Sequence, residues 1–185
     1  MAWVRTVKED DADEELERIY KRIRGSRGKI SNIFLSQSLN PGALESHLDL
    51  YLRVMFGKGT LSRPQREMIA VVVSASNDCE YCVAHHSAAI RRYVDDELFT
   101  GQLAKDFRGA KLEPRERAML DYASKLTTKP SSISQDDIET LRKVGFGDEE
   151  ILHIALTASY FNFVNRLASG LGVSVEADEG SGYRY

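Results

Sequence analysis

The chain has 185 residues, a formal net charge of −3 and the apolar share of a globular protein, which is enough to bury a core in one domain. The weakly acidic balance argues against nucleic acid or an anionic membrane as a partner. No apolar run approaches the roughly 18 residues that a membrane span needs, and the N-terminus turns acidic where an export signal would be apolar. We therefore expect a cytoplasmic protein in a reducing compartment.

The first third of the chain shows the spacing of helices. A possible strand or extended arm covers 3–7, and an acidic run then begins a helix with an apolar stripe at positions 16, 19, 20 and 23. We expect this helix to stop at Gly25, because glycine readily adopts the backbone conformation that ends a helix. A short helical segment follows over 30–39 and another helix over 43–56. His47 in that helix is expected to be exposed.

The next segment combines a strong helix start with an unusually apolar sequence. Ser62 and Gln65 have the spacing of a capping box, in which each side chain bonds the backbone N–H of the other residue. The run 68–73 also suits a buried strand, but the cap and the length favour a helix over 62–76 that is buried on most faces. A turn then leads into a further helix over 79–93.

The rest of the chain predicts helices only, over 95–107, 114–126, 138–144 and 151–169. No run after the first few residues shows the alternation of a half-buried strand, so the predicted fold class is all-α. We expect residues 1–173 to form a single all-helical domain. Residues 174–185 are expected to be a mobile tail, or an arm that orders only on a neighbouring chain.

Both cysteines of the chain, Cys79 and Cys82, lie at the predicted start of the 79–93 helix, where the helix dipole favours a thiolate. At about 100° per residue, Cys82 points about 60° from Cys79, and His86 points within about 40° of either cysteine. His85 points about 120° from Cys79 and is the poorer partner. A lone Cys-x-x-Cys in a reducing compartment is more often catalytic, redox-sensing or metal-binding than a structural disulfide.

Glu67 is the carboxylate that would complete such a site. If its helix packs antiparallel to the next one, Glu67 meets His86 more readily than Cys79, because it lies about 18 Å back from the turn at 1.5 Å per residue. Glu67 would then polarise His86, and His86 would move a proton. Taken singly, each residue has a plainer interpretation: Glu67 as a solvated first-turn acid and His86 as a packing or surface residue.

A zinc site is the minority alternative for the same segment. His85 and His86 are adjacent on one helix and cannot both point at the same ion, and no second Cys-x-x-Cys completes a set of four ligands. We therefore expect neither a metal nor another cofactor.

A second polar cluster lies on the last predicted helix. Asn162, Asn165 and Arg166 follow the i, i+3, i+4 spacing within an apolar sequence. Polar residues in that setting are more often a structural network or an oligomer contact than a catalytic group. The structural interpretation is the one we favour.

The spacing Glu67, Cys79-Glu80-Tyr81-Cys82, His86 resembles the signature of alkyl hydroperoxidase D-like proteins, which belong to the carboxymuconolactone decarboxylase-like superfamily. Two flanking stretches are similar to a subgroup called uncharacterised peroxidase-related proteins, namely NDCEYCVAHHSAAI and YFNFVNRLASGLGV. The similarity covers about 3–173. Hydroperoxidase D members commonly have a further histidine immediately before the second cysteine, whereas this chain has Tyr81.

The resemblance implies an all-helical homo-oligomer (a dimer, trimer or hexamer) with thiol peroxidase activity. Its peroxidatic cysteine would be Cys82, which passes through a sulfenic acid, and Cys79 would resolve it to a disulfide. Glu67 and His86 would form the proton relay. The partners implied are a peroxide substrate and a dithiol reductant of unknown identity. The alternative is a redox-sensing or scaffold protein that uses the same disulfide as a switch without turnover.

Overall fold

The structure is a computed structural model that describes residues 2–175 and 182–184. Over these residues the chain forms helices and no strand, which confirms the all-α prediction. The α-helices are α1 (Glu14–Arg27), α2 (Asn32–Leu35), α3 (Pro41–Phe56), α4 (Arg63–Ser76), α5 (Glu80–Ile90), α6 (Glu97–Asp106), α7 (Pro114–Thr128), α8 (Gln135–Lys143) and α9 (Asp148–Gly170). No helix in the described ranges is both long enough and apolar enough to cross a membrane.

Helix α4 is the element around which the others pack. The predicted capping box is present, with the Gln65 N–H donating to Ser62 Oγ and the Ser62 N–H donating to Gln65 Oε1. The helix contacts α5, α7 and α9, and every residue over 66–74 is buried. A helix enclosed on most sides is apolar nearly all round, as residues 68–73 are in this sequence.

A tight turn folds α5 back along α4. Asp78 in this turn has φ of +51°, in the left-handed region, and the Cys79 N–H donates to Ser74 O at 2.9 Å. Asp is one of the few residues other than glycine that enters this region readily. The turn makes α4 and α5 an antiparallel hairpin, which is the arrangement that a contact between Glu67 and His86 requires.

The prediction that α1 stops at Gly25 is wrong. The helix continues to Arg27, and Gly28 ends it with φ of +85° and a bond from its N–H to Arg24 O at 2.8 Å. Gly25 has open space around its α-carbon, so nothing in its surroundings forces the chain to turn there. Helix α1 therefore ends at Gly28, where the chain turns into the segment that leads to α2.

The prediction that His47 is exposed is also wrong. His47 lies on the buried stripe of α3 with Leu44 and Tyr51, and its Nε2 is 2.8 Å from the Tyr160 hydroxyl. Burial lowers its pKa to about 4, so the ring is neutral near neutral pH. Its spacing from Leu44 and Tyr51 is the signal that would have placed it inside.

The two ends of the described chain lie against the helices. Residues 3–7 form an extended arm, with the Trp3 N–H donating to Leu171 O and the Tyr20 hydroxyl donating to Val7 O. Residues 176–181 and 185, which belong to the predicted tail, lie outside the described residues. Gly182 to Arg184 contact the end of α1, and the division at residue 173 stays a prediction.

Candidate functional site

Glu67 is a fully buried carboxylate held between two basic partners. Its Oε1 accepts hydrogen bonds from Arg63 Nε at 2.9 Å and Nη2 at 2.6 Å, and its Oε2 lies 2.7 Å from His86 Nδ1. Burial by itself raises the pKa of Glu67, but the charges and hydrogen bonds of His86 and Arg63 outweigh it and hold the pKa at about 2. Glu67 is therefore ionised at neutral pH.

The ionised carboxylate fixes the tautomer of His86. Because Glu67 can only accept a hydrogen bond, Nδ1 of His86 must carry the hydrogen between them. That leaves Nε2 as the nitrogen able to take up or release a proton. Phe161 packs edge-on against the ring, with centroids 4.5 Å apart, and helps to hold its orientation.

The two cysteines are free, buried thiols at the start of α5. Cys79 is the N-cap residue, and Cys82 lies in the first turn. A hydrogen bond with Cys82 lowers the pKa of Cys79 to about 7, whereas the same bond and burial raise the pKa of Cys82. A thiolate is thus favoured on Cys79 and disfavoured on Cys82.

Asn165 is a member of this site that the sequence interpretation treated as structural. Its Nδ2 donates to Ser74 Oγ at 3.0 Å, its Oδ1 accepts from Asn77 Nδ2 at 2.9 Å, and its amide lowers the pKa of both thiols. Asn165 is therefore part of the surroundings that stabilise the thiolate. Asn162, one turn earlier, instead bonds Thr127 and Asn77, as expected of a structural network.

Arg63 was also missed by the sequence interpretation. It lies one helical turn before Glu67 and contributes two of the hydrogen bonds to the carboxylate. The i, i+4 spacing of a basic and an acidic residue on one helix was the available signal.

A small cavity lies at this site, and Cys82 and His86 both line it. Its volume is about 30 Å³, and helices α1, α2, α3, α5 and α9 contribute to its walls. Glu67, which bonds His86, and Cys79 do not line it. Of the four predicted residues, two therefore face the cavity and two support them.

His85 lines the same cavity, although its direction on the helix predicted a poorer partner for the thiols. Burial lowers its pKa to about 3, so it is a neutral ring at neutral pH. Tyr81, which stands where related proteins commonly have histidine, also lines the cavity, and its hydroxyl is 3.4 Å from the backbone N–H of Ile33. Of the two histidines at the cavity, His86 is therefore the one bonded to Glu67.

No group of three or more His, Cys, Asp or Glu side chains able to hold a metal ion occurs within 2–175 and 182–184.

Comparison with known proteins identifies the family. The model of the carboxymuconolactone decarboxylase family matches residues 41–97, the segment that holds both cysteines, Glu67 and His86. An uncharacterized peroxidase-related protein from Silicibacter sp. TM1040 is 33% identical, with a TM-score of 0.87 over 99% of this chain and 96% of that chain. The chain belongs to the carboxymuconolactone decarboxylase-like superfamily, in its hydroperoxidase D-like branch. The resemblance inferred from the motif spacing is confirmed.

A second solved structure has the same architecture. The alkylhydroperoxidase AhpD core of an uncharacterized peroxidase-related protein from Ralstonia eutropha JMP134 is 29% identical, with a TM-score of 0.88 over 97% of this chain and 94% of that chain. Among curated proteins, Sestrin-3 of Mus musculus is 27% identical over 96% of this chain. This chain spans only 36% of the length of Sestrin-3.

Proposed function

We propose that the protein is a thiol-dependent peroxidase that reduces hydrogen peroxide or organic hydroperoxides through Cys82 and Cys79. The observation that carries this proposal is that Cys82 and His86 line one small cavity, with His86 bonded to the buried, ionised Glu67. A sulfur nucleophile and a proton carrier at one cavity are what peroxide cleavage requires. The peroxidase-related relatives support the same chemistry.

The first step uses the proton that the two thiols share. Cys82 passes its S–H proton to the Cys79 thiolate along their hydrogen bond, which makes Cys82 the nucleophile at the cavity wall. The Cys82 thiolate attacks one peroxide oxygen, the O–O bond breaks, and sulfur is oxidised to a sulfenic acid. The leaving alkoxide or hydroxide takes a proton from His86, whose charge Glu67 stabilises.

The second step forms the disulfide. The Cys79 sulfur attacks the Cys82 sulfenic acid, the S–O bond breaks, and the hydroxide released leaves as water with the Cys79 proton. An external dithiol then exchanges with the disulfide and is itself oxidised; of the two protons it gives up, one stays on the cysteine pair and the other returns to His86. A reducing cytosol supplies such dithiols and fits the free state of both cysteines, so the proposal places the protein there.

The proposal includes a homo-oligomer. Leu152, Leu156 and Phe163 are exposed along α9, at spacings that put them on one side of the helix. An apolar stripe on an exposed helix is a surface that a second copy of the chain would cover. Light scattering of the purified protein measures this directly, and a monomer at micromolar concentration contradicts it.

Peroxide consumption by the purified protein tests the enzymatic proposal. With a dithiol present, the wild type is expected to consume hydrogen peroxide over many turnovers, and Cys82→Ser is expected to consume none. If wild type and Cys82→Ser are equally inert, the proposed activity is wrong. A redox sensor gives a third outcome: mass spectrometry shows one disulfide per chain after peroxide treatment, without continued turnover.

A further inference from the structure

Tyr183 is a cavity-lining residue that comes from outside the helices. It is buried, its ring lies edge-on to His85 with centroids 4.6 Å apart, and it shares the cavity wall with Cys82 and His86. The other residues of the wall belong to the helices or cap them. The C-terminal segment therefore supplies one side of the space in front of the proposed nucleophile.

The end of α1 holds this segment in place. The Arg184 N–H donates to Arg27 O at 2.8 Å, Arg184 Nη1 donates to Gly25 O at 2.9 Å, and the Arg27 guanidinium donates to Arg184 O. A side chain at Gly28 would place its Cβ 2.7 Å from Gly182 O. The glycine that ends α1 thus also leaves room for the segment carrying Tyr183 to approach closely.

The cation of Arg27 adds to the attachment of the ring. Its guanidinium carbon is 5.8 Å from the centre of the Tyr183 ring, and Lys29 Nζ is 5.6 Å from the same centre. Distances within about 6 Å allow a favourable cation–π interaction. Tyr183 is therefore fixed by backbone, side-chain and aromatic contacts together.

The volume of the cavity indicates what this arrangement does. About 30 Å³ is space for one or two water molecules, since one needs at least on the order of 10–15 Å³ and takes up about 30 Å³ in the liquid. Hydrogen peroxide has two oxygen atoms and is of that size. The branched carbon groups of tert-butyl and cumene hydroperoxide are larger than this space.

We propose that Tyr183 sets the size limit for molecules that reach Cys82, admitting hydrogen peroxide and excluding bulky organic hydroperoxides. The substrate part of this proposal rests on the peroxidase activity proposed above. The access part does not, because any reagent that modifies thiols reports whether Cys82 can be reached.

Alkylation of Cys82 tests access without peroxide. In a Cys79→Ser background, Cys82 is the remaining thiol. Its rates of labelling by iodoacetamide, a small reagent, and by a fluorescein maleimide, a bulky one, are measured by mass spectrometry. Tyr183→Ala is expected to raise the rate ratio of bulky to small reagent by about tenfold, the scale on which a pocket discriminates by size. Tyr183→Phe, which keeps the ring, is expected to leave the ratio unchanged.

Matched variants make the test decisive. Tyr93→Ala removes an exposed ring near the end of α5 that does not line the cavity, and is expected to leave the ratio at the wild-type value. A chain ending at Ser181 is expected to behave like Tyr183→Ala and replaces it if that variant folds poorly. The proposal is overturned if the labelling ratio is unchanged in both Tyr183→Ala and the chain ending at Ser181. It is also overturned if the ratio rises as much in Tyr183→Phe as in Tyr183→Ala.

Peroxidase kinetics distinguish failure of this proposal from failure of the proposed function. Tyr183→Ala in the otherwise unchanged protein is expected to raise kcat/KM for cumene hydroperoxide relative to hydrogen peroxide by about tenfold. If no variant consumes peroxide but the labelling ratio rises, the peroxidase assignment fails and the size limit stands. If the protein consumes peroxide but neither the labelling ratio nor the ratio of kcat/KM values changes, the size limit fails and the peroxidase proposal stands.

Discussion

Glu67 and His86, nineteen residues apart in the chain, are joined by a 2.7 Å contact between a carboxylate oxygen and the imidazole Nδ1. Both are buried, and Arg63 binds the second carboxylate oxygen. The contact fixes which ring nitrogen of His86 carries the hydrogen, and so which one is able to exchange a proton. The predictions on catalysis follow from this relationship and from the thiol pair beside it.

Replacing Glu67 by glutamine keeps the shape of the side chain and removes its negative charge. The neutral amide stabilises a protonated His86 less well, so Glu67→Gln is expected to lower kcat/KM for peroxide by about 10–100-fold, the usual effect of losing a carboxylate behind a histidine. The measurement is steady-state peroxide consumption with excess dithiol. Glu149→Gln, at an exposed position of α9, is the matched control, and an equal loss in both variants contradicts the relay.

Replacing Cys79 by serine separates the two cysteine roles. Cys79→Ser retains the cavity-facing thiol but lacks the sulfur that forms the disulfide, so its Cys82 sulfenic acid is expected to persist. Dimedone should then label Cys82 in Cys79→Ser after one equivalent of peroxide, and label the wild type only weakly. Mass spectrometry of the modified peptide gives the result. Strong labelling of Cys79 in a Cys82→Ser variant would instead make Cys79 the attacking residue.

Asn165 contributes to the low pKa of Cys79. Loss of its hydrogen bonds in Asn165→Ala is expected to raise that pKa from about 7 toward its ordinary value of 9.0. A shift of about one unit corresponds to a hydrogen bond of about 1–1.5 kcal/mol to the thiolate. Ultraviolet absorbance of the thiolate as a function of pH measures it. Asn162→Ala, one turn away on the same helix, should leave the thiol pKa unchanged, and equal shifts in both variants refute a specific role.

The buried histidines make stability depend on pH. Folding lowers the pKa of His47 from 6.5 to about 4 and that of His85 from 6.5 to about 3, so between these values the unfolded chain binds protons that the folded chain excludes. The free energy of unfolding is therefore expected to fall as pH falls below 6.5, with each histidine contributing up to about 1.4 kcal/mol per pH unit. Urea unfolding over pH 4–6.5 gives this slope.

His47→Gln tests the source of that slope. Glutamine can still hydrogen-bond the Tyr160 hydroxyl but does not titrate, so the variant should lose stability less steeply between pH 6.5 and 4. Its stability relative to wild type above pH 6.5 reports the packing cost alone and serves as the internal control. An unchanged slope means that other groups govern acid unfolding.

Local sequence signals anticipated much of the fold. The Ser62 and Gln65 capping box marked the start of α4 because its hydrogen bonds join residues three apart. Residue type alone predicts two features wrongly. Gly25 lies inside α1 although it is a glycine, and His47 is buried, as its spacing from Leu44 and Tyr51 indicates.

The sequence by itself determined the helical class and the family motif, and it put both cysteines at the start of one predicted helix, because these follow from residues near one another in the chain. Only the tertiary structure decided the contacts between separate elements. Asn165 on α9 bonds Ser74 on α4, and Tyr183 meets His85 across the cavity. Spacing along a helix fixes the direction of a side chain, but the packing of one element on another fixes which partner it meets.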